Sequence, residues 1–256
     1  HRVMYLSFDV ARDELRYASV KGKHPFRDRR VRAAVALSID RDALQKKVLR
    51  GVALPTASLV PKGVVGYSAA AAALPPPDLA RARALLQEAG FGNGFQVTLD
   101  CANDREQICT ALAGMMSKIG VEVAVHATPR AQFLQRTNPF NRDVSMFFSG
   151  MGAATGDATM MLESLLHTFK PDGRGANNAA GIANPKYDEF LAATGGELDQ
   201  AKRNAIFEKL QLAEREENNL VPLYQPMTPW LMQRRVSVTH RPDNYLDLRW
   251  VRVEKR

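Results

Sequence analysis

Residues 95–125, FQVTLDCANDREQICTALAGMMSKIGVEVAV, decide the fold. Phe95, Val97, Leu99 and Cys101 alternate with Gln96, Thr98 and Asp100, the period of a strand with one buried face. Asn103 or Asp104 then starts a helix whose apolar stripe reads Ile108, Leu112, Met115 and Ile119, and Gly120 stops it. Val121, Val123 and Val125 alternate again. Strand, helix and strand over about 30 residues predict a right-handed parallel βαβ unit, hence an α/β fold. Met115 and Met116 are core filler in this reading.

Downstream, residues 129–136 read as a short helix and Val144–Phe148 as a buried strand. That strand runs into a loop of small residues, Ser149 to Asp157, and open α/β sheets place ligands at such strand ends. Thr159–Thr168 is helical, and 171–183 is a loop rich in Gly, Asn and Ala. Asn184-Pro185 opens a helix with Tyr187, Phe190 and Leu191 inward. Asp199 caps a long helix with the stripe Ile206, Leu210 and Ala213. Leu220–Gln225 is a strand that Pro222 assigns to an edge, and 235–239 and 245–253 are short β-like runs.

Upstream, Val3–Val10 is a strand, and 12–23 is a polar, basic loop. In PFRDRRVRAAVALSIDRDALQKKVLRG, residues 25–51, Asp28 caps a helix that opens with Arg29, Arg30 and Arg32. Its stripe is Val31, Ala34, Val35 and Ile39. Asp40 starts a second short helix, with Ala43, Leu44 and Val48 inward and Gly51 past its end. Residues 52–77 form a long irregular segment, packed down or functional. Asp78 caps the next helix, with Leu79, Ala82, Leu86 and Ala89 inward and Gly90 at its end. Gly90, Gly92 and Gly94 follow a helix and precede a strand, the reverse of a dinucleotide loop.

The chain has 256 residues, 45% hydrophobic and 24% charged, enough for a sizeable core in one large or two small domains. No run of about 18 apolar residues predicts a membrane span. No charged segment followed by an apolar one opens the chain, so a leader was removed or the chain starts inside a longer protein. The net charge is +8, of which residues 1–50 carry +7 and residues 234–256 carry +4. Such basic ends suit a nucleic-acid-binding module, but no aromatic residues are interleaved for stacking. Five scattered histidines, His1, His24, His126, His167 and His240, form no HExxH spacing, and no Gly-x-Ser-x-Gly elbow supports a hydrolase. His126 reads as a surface or hydrogen-bonded structural histidine. Ser149 has no base or orienter that the sequence can nominate. No catalytic residue, metal ligand or cofactor is predicted.

The string PF-D-RVR-A-ALSIDRDAL resembles the signature of the family 5 bacterial extracellular solute-binding proteins. DLARARALLQEAGFGNGFQVTLDC, ALAGMMSKIGVEVAVHA, NNAAGIANPKYDEFLAAT and VPLYQPMTPW are similar to further family segments, in the family's order. The resemblance implies a periplasmic substrate-binding component of an ABC importer that captures a peptide or peptide-like solute and delivers it to permease subunits. It is a binding protein and not an enzyme. Members are two-lobed and about twice this length. The chain resembles the C-terminal lobe of a periplasmic-binding-protein type II fold, a mixed sheet with a βαβ unit flanked by helices. Residues 1–256 then form one lobe, with a core over about 11–218 and a tail over about 219–256 that returns toward an N-terminal lobe. Val3–Val10 and the tail should pair with each other, or with another copy through exposed edges.

Within that resemblance the ligand-binding candidates are Ser149, Gly150, Met151, Gly152 and Asp157 of the small-residue loop, with Asn177 and Asn178 of the next loop. Small residues admit close backbone approach, the amides offer hydrogen bonds, and Asp157 either meets a ligand cation or caps the next helix. Peptide receptors of the family carry an acid for the ligand α-amine where this chain has Ala154. A subgroup with a GWG-x-x-T-x-D loop is closer, with Met151 at its Trp position. Members of that subgroup often carry both Cys101 and Cys109. The resemblance and a periplasmic home allow a disulfide between them, and two separate thiols are the other possibility.

Overall fold

In the computed structural model, residues 2–239 and 245–254 are described. His1 and His240 of the histidine census, and 240–244 and 255–256 of the tail, lie outside them. The strands are β1 (Arg2–Phe8), β2 (Ala53–Pro55), β3 (Phe95–Ala102), β4 (Val121–Thr128), β5 (Met146–Gly152), β6 (Leu220–Pro226), β7 (Val236–Val238) and β8 (Val251–Val253). The helices are α1 (Arg29–Ser38), α2 (Arg41–Ala43), α3 (Ala69–Ala72), α4 (Leu79–Glu88), α5 (Glu106–Met116), α6 (Arg130–Arg136), α7 (Ala158–Leu166), α8 (Pro185–Gly196) and α9 (Gln200–Glu217). The main sheet runs β2-β6-β1-β5-β3-β4, and β7 pairs with β8 in a small separate ribbon.

The βαβ unit forms as its alternation predicts, and β3 pairs parallel to β4 from Phe95↔Val121 to Ala102↔Thr128. Its helix is rotated by about one residue from the expected stripe. Cys109, Leu112, Met116 and Ile119 are buried, while Ile108 and Met115 are only half-buried. Asp100, expected on the polar face of β3, is buried as well. Its Oδ1 accepts from Arg136 Nε at 2.9 Å and lies 2.7 Å from His126 Nδ1, its register partner on β4. The Arg136 guanidinium of α6 and the His126 imidazole of β4 thus cover a face that alternation alone leaves to water.

The largest departure concerns β1 and β6. Both lie inside the sheet, with β1 antiparallel to β5 on one side and to β6 on the other. Residues 2–8 and 220–226 thus belong to the same sheet as β3, β4 and β5, and these two segments pair with each other as expected. Pro222 is tolerated away from an edge for a local reason. The β1–β6 register shifts between Met4 and Tyr5, next to the Tyr5↔Pro222 pair, while β2 pairs only with Tyr224, Gln225 and Pro226. The missing amide thus falls at a bulge and beyond the end of β2.

Helices cover both faces. Met4, Leu6, Phe8, Leu99, Met146 and Phe148 pack with residues of α1, α4 and α5. Tyr5 and Phe147 face the opposite side and pack with residues of α6, α7, α8 and α9. The segment 52–77 is packed down, and its Leu59, Val60 and Val64 enter this second core.

The caps at Asp28, Asp40, Asp78, Asn184 and Asp199 each accept a backbone amide as expected. Six cations of the basic N-terminal stretch are already paired. Arg12 meets Asp9, Arg16 meets Asp143, Lys21 meets Glu14, Arg27 meets Asp13, Arg30 meets Asp28, and Arg32 meets Glu217. Arg32 is buried and also donates to Phe26 O at 2.7 Å. These six charges are engaged within the chain itself.

Candidate functional site

The sheet directions gather most strand ends of one kind at one edge. β3, β4, β5 and β6 run the same way and β1 runs against them, so four carboxyl ends share an edge with the start of β1. Ligands of open α/β sheets lie at such an edge. Three arginines stand there. Arg2 starts β1 opposite Gly152, Arg105 ends the 3-10 turn after β3, and Arg130 opens α6 after β4. Burial lowers the Arg2 guanidinium below its ordinary range, and the positive charges of Arg105 and Arg130 lower it further. Arg105 has a loose partner in Asp104 at 3.8 Å. Among the described residues no acid forms an ion pair with Arg2 or Arg130.

Tyr5 and Ser149 lie beside this cluster. They are register partners across β1 and β5, and Ser149 is among the groups that favour the ionised Tyr5 phenol. Burial pushes the Tyr5 phenol up to about 12, against the opposing pull of Ser149, Arg2 and Arg105. The phenol therefore stays neutral and can donate. A half-buried serine hydroxyl and a buried neutral phenol beside several guanidinium groups suit carboxylate recognition.

The structure separates the seven candidates. Ser149, Gly150, Met151 and Gly152 belong to β5 and not to a loop, because β1 extends their pairing as far as Arg2↔Gly152. Gly150 is small because of its neighbour: a Cβ there would run into the Met4 side chain. Met151 is half-buried against the second core. The loop proper is Ala153 to Asp157, and Gly156, at φ 74, makes its turn.

Asp157 is engaged twice. Its Oδ1 accepts the Thr159 amide at 2.9 Å, which caps α7. Arg203 of α9 also grips both carboxylate oxygens, Nη1 to Oδ2 at 2.6 Å and Nη2 to Oδ1 at 2.9 Å. Its negative charge is thus balanced within the chain. Asn178 is equally committed. It is buried, its Nδ2 donates to His167 O and Ile182 O, and its Oδ1 accepts from Ile182 N. The Asn178 amide braces its own loop and has no group left for a ligand. Asn177 is exposed and donates to Ser164 Oγ at 2.6 Å.

Cys101 and Cys109 are both free and buried. The neighbouring Cys101 and burial push the Cys109 thiol up. Among the described residues no group of His, Cys, Asp or Glu could hold a metal ion. No described helix is long and apolar enough to cross a membrane.

Sequence reasoning missed Arg2, Tyr5, Arg105 and Arg130. The available signal was positional, because Arg105 and Arg130 each follow a strand of the βαβ unit by two or three residues.

The model of the family described as Bacterial extracellular solute-binding proteins, family 5 Middle, matches residues 1–173. The glutathione-binding protein GsiB of Pectobacterium atrosepticum is 30% identical over 204 residues, covering 77% of this chain and 39% of the relative. GsiB of Shigella flexneri serotype 5b is 29% identical over 217 residues, covering 81% and 42%. Among solved structures, DppA of Helicobacter pylori with the peptide STSA superposes at TM-score 0.79, with 22% identity over 99% of this chain and 47% of that one. AgaA of A. tumefaciens R10 with agropinic acid superposes at 0.74, with 24% identity over 88% and 44%. The architecture is that of the periplasmic-binding-protein type II fold, and the chain spans less than half the length of these relatives. Its sequence and sheet together make the chain a member of the family 5 bacterial extracellular solute-binding proteins.

Proposed function

We propose that this chain forms one wall of the solute cleft in a periplasmic receptor of an ABC importer. The carboxyl edge of its sheet faces the solute. A second lobe supplies the other wall, and residues 1–256 are the C-terminal lobe with its returning tail. The tail beyond Pro226 exposes Met227, Leu231, Tyr245, Leu248 and Trp250, an apolar surface suited to cover by that lobe. The receptor hands its solute to the membrane permease and catalyses no reaction, in keeping with a family made up of binding proteins.

The observation that carries the solute class is the cluster of Arg2, Arg105 and Arg130 beside the neutral Tyr5 hydroxyl. The solute is therefore an anionic, peptide-like molecule with a carboxylate directed at this edge. Asp157 does not recognise an α-amine, because Arg203 holds it. Relatives named for glutathione and for agropinic acid fit the same chemistry.

Calorimetric titration of the two-lobed receptor tests this reading. Glutathione and acidic di- and tripeptides should bind, with affinity falling as salt rises. A receptor that bound only neutral or cationic peptides would overturn it.

A further inference from the structure

Arg41, the first residue of α2, is 9% exposed. Its Nε donates to Pro222 O at 2.9 Å, at the part of β6 that β2 leaves unpaired. No carboxylate of the described residues forms an ion pair with it. The charge nearest in effect is a second cation, Arg215 of α9, and burial with that neighbour pushes Arg41 down to about 10. A buried guanidinium without a counter-charge is costly, and one hydrogen bond to a carbonyl uses only one of its five N–H groups.

The remaining guanidinium face borders a cavity of about 220 Å³. Ala33, Ala36 and Leu37 of α1 and Pro75 form apolar walls, and Arg41 and Arg215 supply the only charged side chains of its lining. The cavity adjoins Leu220, Val221 and Pro222, where β6 begins, so it lies at the end of the sheet opposite the solute edge.

We infer that this cavity is a second ligand site, which takes a short aliphatic monocarboxylate. The carboxylate pairs with the Arg41 guanidinium, with Arg215 at the rim, and the alkyl chain lies against the alanines and Pro75. The volume suits a ligand of few heavy atoms and excludes a peptide of several residues. The walls favour longer alkyl chains until the cavity is filled, by roughly fourfold in affinity per methylene.

Saturation-transfer NMR and thermal melting with sodium butyrate, against sodium chloride of equal ionic strength, test the inference on the chain 1–256. Butyrate should show saturable transfer and raise the melting temperature, acetate should do so more weakly, and n-butylammonium should do neither. Arg41→Gln should abolish the effect. Ala36→Leu, which fills the cavity and keeps the guanidinium, should abolish it too, so the test stands even if Arg41→Gln fails to fold. Butyrate acting no differently from chloride, n-butylammonium binding equally well, or unchanged butyrate binding in Ala36→Leu would each overturn the site and leave Arg41 as a clasp on the β6 carbonyl.

Discussion

Arg203 and Asp157, 46 residues apart, form a two-pronged ion pair that ties the start of α7 to α9, with contacts of 2.6 and 2.9 Å. Burial works to raise the Asp157 carboxyl, but the Arg203 bonds and the Thr159 amide outweigh it and hold the group below its ordinary range. The pair stabilises the lobe above the ordinary carboxylate pKa, and that contribution is lost as pH falls through the depressed value. Asp157→Asn keeps the helix cap but not the charge. It should cost about 1–2 kcal/mol at neutral pH, a charged hydrogen bond discounted for partial exposure. Urea unfolding measures that cost, and solute affinity of the two-lobed receptor should not change. Lost affinity with unchanged stability would return Asp157 to the ligand.

Glu214 has the opposite sign. It is buried, accepting from Asn219 Nδ2 at 2.8 Å and Leu220 N at 2.7 Å, and burial raises it from 4.5 to about 7. Its contribution is complete below pH 4.5 and is lost as pH rises through 7. The loss is on the order of 3 kcal/mol, at about 1.4 kcal/mol per unit. Stability of the wild-type chain should fall between pH 5 and 8 for this reason, and Glu214→Gln should flatten the fall. Equal slopes in both proteins would contradict the assignment.

Gly94 and Gly90 both take positive φ, 73° and 81°. A Cβ at Gly94 would collide with the Gly120 carbonyl beside the β3–β4 junction, whereas a Cβ at Gly90 meets nothing within 4 Å. Gly90→Ala should therefore cost only the left-handed conformation, about 1–2 kcal/mol. Gly94→Ala should cost clearly more, because backbone must move. Chemical denaturation of the two variants compares them, and equal losses would refute the collision.

Cys101 and Cys109 should titrate as two free thiols in the denatured, unreduced protein, and should react slowly in the native protein because both are buried. A denatured protein without titratable thiols would show that the pair oxidises.

The βαβ unit was legible because alternation, a helical stripe and Gly120 agree over one local stretch. The finer errors come from buried polar groups. The fully buried residues of α9 are Phe207, Leu210, Gln211 and Glu214, while Ala213 is half-buried against the second core and Ile206 is half-buried. Gln211 is buried because it donates to Gly66 O and accepts from Ser58 Oγ, partners that hydrophobic periodicity cannot show. The proposed solute edge was half legible. The strand carrying Ser149 was visible, but Arg2, Arg105 and Arg130 come together only because β1 inserts between β5 and β6, a long-range pairing without a local signature. Pro222 misdirected the β6 reading for a related reason, since the bulge opposite it depends on β1.

The account rests on the arginine edge as the anion-recognising wall, and the direct measurement is the glutathione affinity of the two-lobed receptor with and without one of those charges. Arg105→Gln keeps a hydrogen-bonding side chain of similar reach in a short turn where the arginine side chain is 16% exposed, and the unliganded melting temperature checks that the fold survives. Calorimetry should show affinity reduced by about 10- to 100-fold, the range for a charged hydrogen bond, with a shallower salt dependence and an unchanged melting temperature of the unliganded protein. Glutathione affinity and salt dependence equal to those of the wild type would contradict the claim.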